Sequence, residues 1–259
     1  MSLILFATLG LVVAVMLALW LLSLRTSDVS IVDIFWGLGF AGVAWVSYAA
    51  SPNRSPRAGL VCLLVTIWGV RLAAHLAMRN LGRGEDYRYR AMRDRHGDRF
   101  ALVSLGTVFL LQAGLLWVVS WPVQAVHHPS ALTPLGWLDA AGVAFWSVGL
   151  GMEAIADAQL ARFRRSPGST GAVMDRGLWR YSRHPNYFGD CLVWWGLGLF
   201  ALGAGQWWAL AGPAVMTVLL VKVSGVAMLE STIAERRPGY RAYIARTSAF
   251  VPWPPRRAR

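Results

Sequence analysis

Residues Asp175 to Trp195 read DRGLWRYSRHPNYFGDCLVWW. Arg180, Tyr181, Arg183, His184, Asn186 and Asp190 stand together at the mouth of an apolar run, and from Cys191 to Val221 no charged residue occurs. A structural loop has no need of so many donors beside hydrocarbon, whereas a site for a polar, anionic ligand at a membrane face does. The uncharged run is longer than the roughly 20 residues that cross a bilayer. It must therefore turn back, and Gly203-Ala204-Gly205-Gln206 is the natural break. The expected class is an all-α polytopic membrane protein.

Composition points the same way. The chain has 259 residues, 56% apolar and 15% charged, with 14 Trp and a mean hydropathy of +0.46, which excludes an ordinary soluble domain. Seven transmembrane helices are expected in a single membrane domain, at about residues 3–24, 29–50, 58–80, 101–125, 135–162, 186–203 and 207–230. Residues 231–259 form a cytoplasmic tail, and the prolines of Val251-Pro252-Trp253-Pro254-Pro255 rule out helix at its end. The first 24 residues lack a charged start and a small-residue cleavage site, so they read as a retained helix. Cys62 and Cys191 both lie in apolar runs and read as core filler. Gly84–Asp98 is polar and reads as a short helix or loop.

The net charge is +12, and Lys222 is the only lysine. The arginines concentrate in the loops on one side, at Arg25, in Arg79–Arg99, in Arg162–Arg183 and after Glu230, whereas the other side holds Arg54 and Arg57. Such a bias puts the arginine-rich side in the cytoplasm and the N-terminus outside. Loops between apolar spans are no nucleic-acid surface, but guanidinium groups match phosphate oxygens.

The ionisable groups inside or bordering the spans collect at the same end. Asp33 opens the second span, Arg71 and His75 close the third, Glu153 and Asp157 close the fifth, Asn186 and Asp190 open the sixth, and Lys222 and Glu230 lie toward the end of the seventh. Asp139 and Gln112 are the exceptions. Charge in hydrocarbon is costly, so these groups are expected to face one polar chamber with an apolar outer half. Plainer roles compete. Asp33 can close a capping box with Ser30, Glu153 and Asp157 can pair with Arg71 or Arg162, and Trp194, Trp195, Trp207 and Trp208 can anchor the interface. No metal-ligand spacing occurs, and no GxGxxG follows a strand, so metal and a Rossmann dinucleotide site are not expected.

The segments GLWRYSRHPNYFGD and LLVKVSGVAMLESTIAERRPGYRAYIARTSAFVPWPP resemble the C-terminal domain of the steroid 5-alpha-reductase family. WGVRLAAHLAMRNLGRGEDYRYRAMR is similar to its bacterial branch. The Arg-His-Pro-x-Tyr-x-Gly core is shared with isoprenylcysteine carboxyl methyltransferases, which use S-adenosylmethionine, so the core alone does not choose the chemistry. The resemblance implies a bacterial inner-membrane reductase that passes a hydride from NADPH to the beta carbon of an alpha,beta-unsaturated ketone, such as a 3-oxo-4-ene steroid or related lipid. It places the cofactor on the cytoplasmic side. By position it implies cofactor contacts at Asp157, Arg164, Asn186 and Asp190, and arginines near the phosphates at Arg71 and Arg83. Tyr181, Arg183 and His184 belong to this branch's form of the motif, and Glu230, Arg237, Tyr240 and Tyr243 match a cap over the adenine side. Asp33 falls near a ketone-binding glutamate and Trp68 near a ketone-binding tyrosine. Tryptophan is a poor proton source, so Tyr87 and Tyr89 are further donor candidates. A methyltransferase and a non-enzymatic lipid carrier are the rival readings.

Overall fold

A computed structural model describes residues 1–52, 54–128, 134–223 and 239–256. Among these there are helices and no strands. Five helices among the described residues are long and apolar enough to cross a membrane: Ser2–Thr26, Ile31–Ala50, Pro56–Asn80, Tyr87–Val119 taken as one run, and Trp137–Arg165. Individual elements are α1 (Ser2–Thr26), α2 (Ile31–Ala50), α3 (Pro56–Asn80), α4 (Tyr87–His96), α5 (Phe100–Ser104), α6 (Leu111–Val119), α7 (Trp121–Ala125), α8 (Trp137–Arg165), α9 (Pro185–Gly203), α10 (Ala211–Val218) and α11 (Tyr240–Arg246).

Of the seven spans expected, five are found among the described residues. The expected sixth corresponds to α9, 19 residues long, which opens with the polar Pro185-Asn186-Tyr187-Phe188-Gly189-Asp190 and is not among the five. The stretch Trp207–Val223 is apolar but shorter than a span, and residues 224–238, with Glu230 and Arg237 among them, lie outside the described residues. The expected fourth helix is also broken. A π-helical segment occupies Leu105–Leu110. Ser120 then leaves helical geometry just before Pro122, which supplies no N–H donor.

Helix boundaries follow local chemistry. Ser55 caps α3 by accepting the Ala58 N–H at 3.2 Å, with Pro56 at the first helical position. Asp86 caps α4 by accepting the Arg88 N–H at 2.9 Å. Arg162, Arg164 and Arg165 fill the last turn of α8, where cations complement the helix dipole.

The described residues form two compact units: unit 1, Met1–Gly136 with Phe200–Ala211, and unit 2, Trp137–Leu199 with Gly212–Arg259. In unit 1 the helices α2 and α3 cross at glycines. A Cβ on Gly37 would collide with the Gly69 carbonyl, and one on Gly69 with that of Gly37. In unit 2 a Cβ on Gly149 would lie 2.5 Å from Gly189 O and 2.7 Å from Val193 N, and one on Gly196 would lie 2.8 Å from Gly142 O. On each helix the two glycines are two turns apart, so they repeat on one face. Backbones that approach this closely gain packing that larger residues forbid, the usual basis of helix association in lipid.

At the ends of the unit 1 helices remote from Asp33, the expected apolar half is instead polar inside. Thr8 Oγ1 donates to Gln124 Oε1 at 2.8 Å, and Gln124 Nε2 donates to Ser120 Oγ at 2.8 Å. Buried Arg57 donates to Pro134 O at 3.1 Å. His127 is 2% exposed, and among the described residues neither ring nitrogen has a hydrogen-bond partner. Burial pushes its imidazole down to about 4, so it is neutral at pH 7.

Two predictions follow from this packing. Gly149→Leu forces α8 and α9 apart and should lower the melting temperature in detergent by roughly 5 °C. Gly151→Ala, with nothing within 4 Å of its Cβ, should leave it unchanged; equal effects would refute the crossing.

Candidate functional site

Unit 1 gathers its charge where α4 folds onto the start of α2. Asp33 lies one turn before Gly37, so the glycine crossing fixes its height. Its Oδ1 accepts the Tyr89 hydroxyl at 2.8 Å and its Oδ2 accepts Arg88 Nη2 at 3.1 Å. Arg88 also donates to Asp86. The capping box is absent, because Ser30 Oγ accepts the Asp86 N–H at 2.7 Å instead. Glu85 takes both ends of the Arg93 fork, at 3.0 and 2.7 Å, and the Val29 N–H at 3.0 Å. Burial alone would raise the Glu85 carboxyl, but the Arg93 and Val29 bonds hold it below its ordinary value. Asp86 is likewise held low against burial by its bonds to Arg88.

The remaining unit 1 candidates are more dispersed. Trp68 is fully buried against Phe40, ring centroids 5.6 Å apart. Arg71 and His75 are half-buried on α3, and Arg83 is exposed in the loop before α4.

Unit 2 places the motif residues around the α8–α9 crossing. Glu153 lies one turn beyond Gly149, and its backbone N is 2.6 Å from where a Gly189 Cβ would stand. Asp190 follows Gly189 directly. Asn186 Nδ2 donates to Asp157 Oδ1 at 3.1 Å. Glu153, Asp157 and Asp190 are all at least nine-tenths buried, while Asn186 is half-buried. The entry to α9 is set locally. Ser182 Oγ accepts the His184 N–H at 3.1 Å, and Pro185 takes the first helical position. His184 stacks on Tyr187 at 5.5 Å and 6°.

Other motif residues serve the tail. Arg183 is buried, and its Nη1 donates to Ile244 O at 3.0 Å and Thr247 O at 2.7 Å. The Tyr243 hydroxyl donates to Trp179 O, and Trp179 Nε1 donates to Ala156 O at 3.0 Å. Burial raises the Tyr243 phenol well above its ordinary value. Tyr240 packs edge-on against Tyr243 at 5.6 Å. Tyr181 and Arg164 are exposed. Gly177, with φ of 59°, lies against Gln159, whose Oε1 accepts the Leu178 N–H at 3.0 Å.

Trp194 is fully buried rather than at an interface, Trp195 Nε1 donates to Thr217 Oγ1 at 3.1 Å, and Trp207 is exposed. Among the described residues no group of three His, Cys, Asp or Glu could hold a metal. Sequence reasoning named Tyr89 as a donor candidate but did not pair it with Asp33. It did not single out Ser182, Trp179 or Arg246, because their partners lie some 60 or more residues away or, for Trp179, on another helix.

No curated protein and no solved structure matches the chain. A family profile does match it, over residues 19–247, nearly its whole length, and on that extent the chain belongs to the DUF1295 family, described as protein of unknown function.

Proposed function

We propose that the protein is an NADPH-dependent membrane reductase that saturates the alpha,beta double bond of a lipid-like enone. The DUF1295 family is associated with steroid 5-alpha-reductase-like membrane proteins, and the motif resemblance supports the same reading. In this reading the chain has seven spans, an external N-terminus and a cofactor side facing the cytoplasm of a bacterial inner membrane.

The observation that carries the reading is the Asn186–Asp157 hydrogen bond beside buried Glu153 and Asp190. A fixed amide and carboxylates are suited to the carboxamide and ribose hydroxyls of a dinucleotide, since acids accept hydrogen bonds from ribose. The cofactor supplies the hydride. The resemblance assigns Tyr181, His184, Tyr240 and Tyr243 to the walls of its site.

Negative charge develops on the ketone oxygen as the beta carbon is reduced, and a donor aimed there lowers the barrier. Tyr89 is the better donor candidate. Its phenol carries a transferable proton, whereas Trp68 is sealed against Phe40. Asp33 orients the phenol through one oxygen and holds Arg88 on the other. Substrate has to win the phenol proton from Asp33, after which Tyr89 recovers it from water.

The three buried acids also suit a cationic sulfonium, which makes an S-adenosylmethionine-dependent lipid methyltransferase the second reading. Thermal-shift titrations separate the two: stabilisation by NADPH alone supports the reductase, and stabilisation by S-adenosylmethionine alone refutes it.

Asn186→Ala should weaken NADPH binding by roughly tenfold, the loss of one or two hydrogen bonds; unchanged affinity removes Asn186 from the site. Tyr89→Phe should cut turnover on an enone by roughly 10²- to 10⁴-fold with NADPH affinity preserved. Turnover equal to wild type would exclude Tyr89 as donor.

A further inference from the structure

The C-terminal tail encloses a cavity in unit 2 to which none of these roles is assigned. Main-chain bonds shape it. The Arg183 N–H donates to Ser248 O, the Trp253 N–H to Tyr181 O and the Arg256 N–H to Arg246 O, each at 2.9 Å, and Ser182 Oγ donates to Phe250 O at 2.7 Å. The tail thus returns to the last residue of α11. Between them lies a cavity of about 310 Å³ whose lining includes Arg183, Arg246, Thr247, Ser248, Trp253 and Arg256.

Among the described residues that line it, three are arginines and none is an acid. The end of α11 would by itself repel an anion, since its last carbonyls carry partial negative charge. Arg183, 8% exposed, offsets this by donating to Ile244 O and Thr247 O. Arg246 pairs with Asp175, which is not part of the lining. Arg256 is exposed at the rim.

We propose that this cavity is a phosphate site, with Arg246 and Arg256 contacting the anion and Arg183 holding the frame. Guanidinium forks match phosphate oxygens in geometry and charge. The volume is at the lower limit of the roughly 300–1,000 Å³ of ligand pockets, enough for a phosphate with a small substituent. A soluble phosphate ester and the headgroup of an anionic phospholipid carry the same chemistry. The site does not depend on the reductase reading, because its anion contacts, Arg246 and Arg256, are tail residues and it needs no hydride chemistry.

The test uses the full chain, delipidated in a phosphate-free detergent. Inorganic phosphate is titrated calorimetrically, and retention of phosphatidylglycerol is followed by native mass spectrometry. Wild type should bind phosphate, and Arg256→Gln and Arg246→Gln should each bind it roughly tenfold more weakly, the loss of one charge-assisted hydrogen bond. Arg256→Gln keeps the main-chain bond to Arg246, so its melting temperature without phosphate should equal that of wild type. Phosphatidylglycerol that displaces phosphate identifies a headgroup site; phosphate binding indifferent to that lipid identifies a soluble ester. Equal phosphate affinity in wild type and both variants, or no binding of either probe to wild type, overturns the proposal.

Discussion

Within each unit a pair of helices crosses where glycine faces glycine, and the site chemistry is arranged one turn away. Gly37 on Gly69 and Gly149 on Gly189 leave no room for a Cβ. In a bilayer the hydrophobic effect does not drive helices together, so backbone contact and buried hydrogen bonds have to. The crossing also sets register. With 3.6 residues per turn, Asp33 falls one turn from Gly37 and Glu153 one turn from Gly149, so the acids are set at a fixed height by the glycines.

Buried charge in this protein is settled by short-range partners of differing kinds. Asp33 takes a phenol and a guanidinium from α4, and Glu85 takes a full guanidinium fork together with a backbone N–H. Arg183 spends two of its bonds on main-chain carbonyls. These pairings stitch two segments with little hydrocarbon of their own, α4 and the tail, onto the helices. The arginine excess on one side therefore includes residues held in structure as well as residues open to ligand.

Much of the architecture was legible because hydrophobic length is a one-dimensional property. The apolar runs at Ser2–Thr26, Ile31–Ala50 and Pro56–Asn80 lie within a few residues of their expected limits. The expected fourth helix was read too smoothly, since a π segment leaves no compositional mark and Pro122 sits only one turn from its end. Ser30 and Asp33 have the spacing of a capping box, but Asp86, 56 residues away, captured the serine hydroxyl. The polar interior around Thr8 and Gln124 was hidden because these two partners lie 116 positions apart, each in an apolar run.

The sequence by itself determined that the chain is helical, rich in membrane-length spans and charged at one set of helix ends, and it singled out Asn186, Asp157 and Asp190 as a polar group. Those properties follow from composition and spacing along the chain. Tertiary structure alone decided that Asp33 belongs to Tyr89 and Arg88, that Arg183 braces the end of α11 and that the tail closes round a cavity with three arginines. Each is a contact between residues tens of positions apart, and periodicity within a helix carries no information about which distant donor will reach which acceptor.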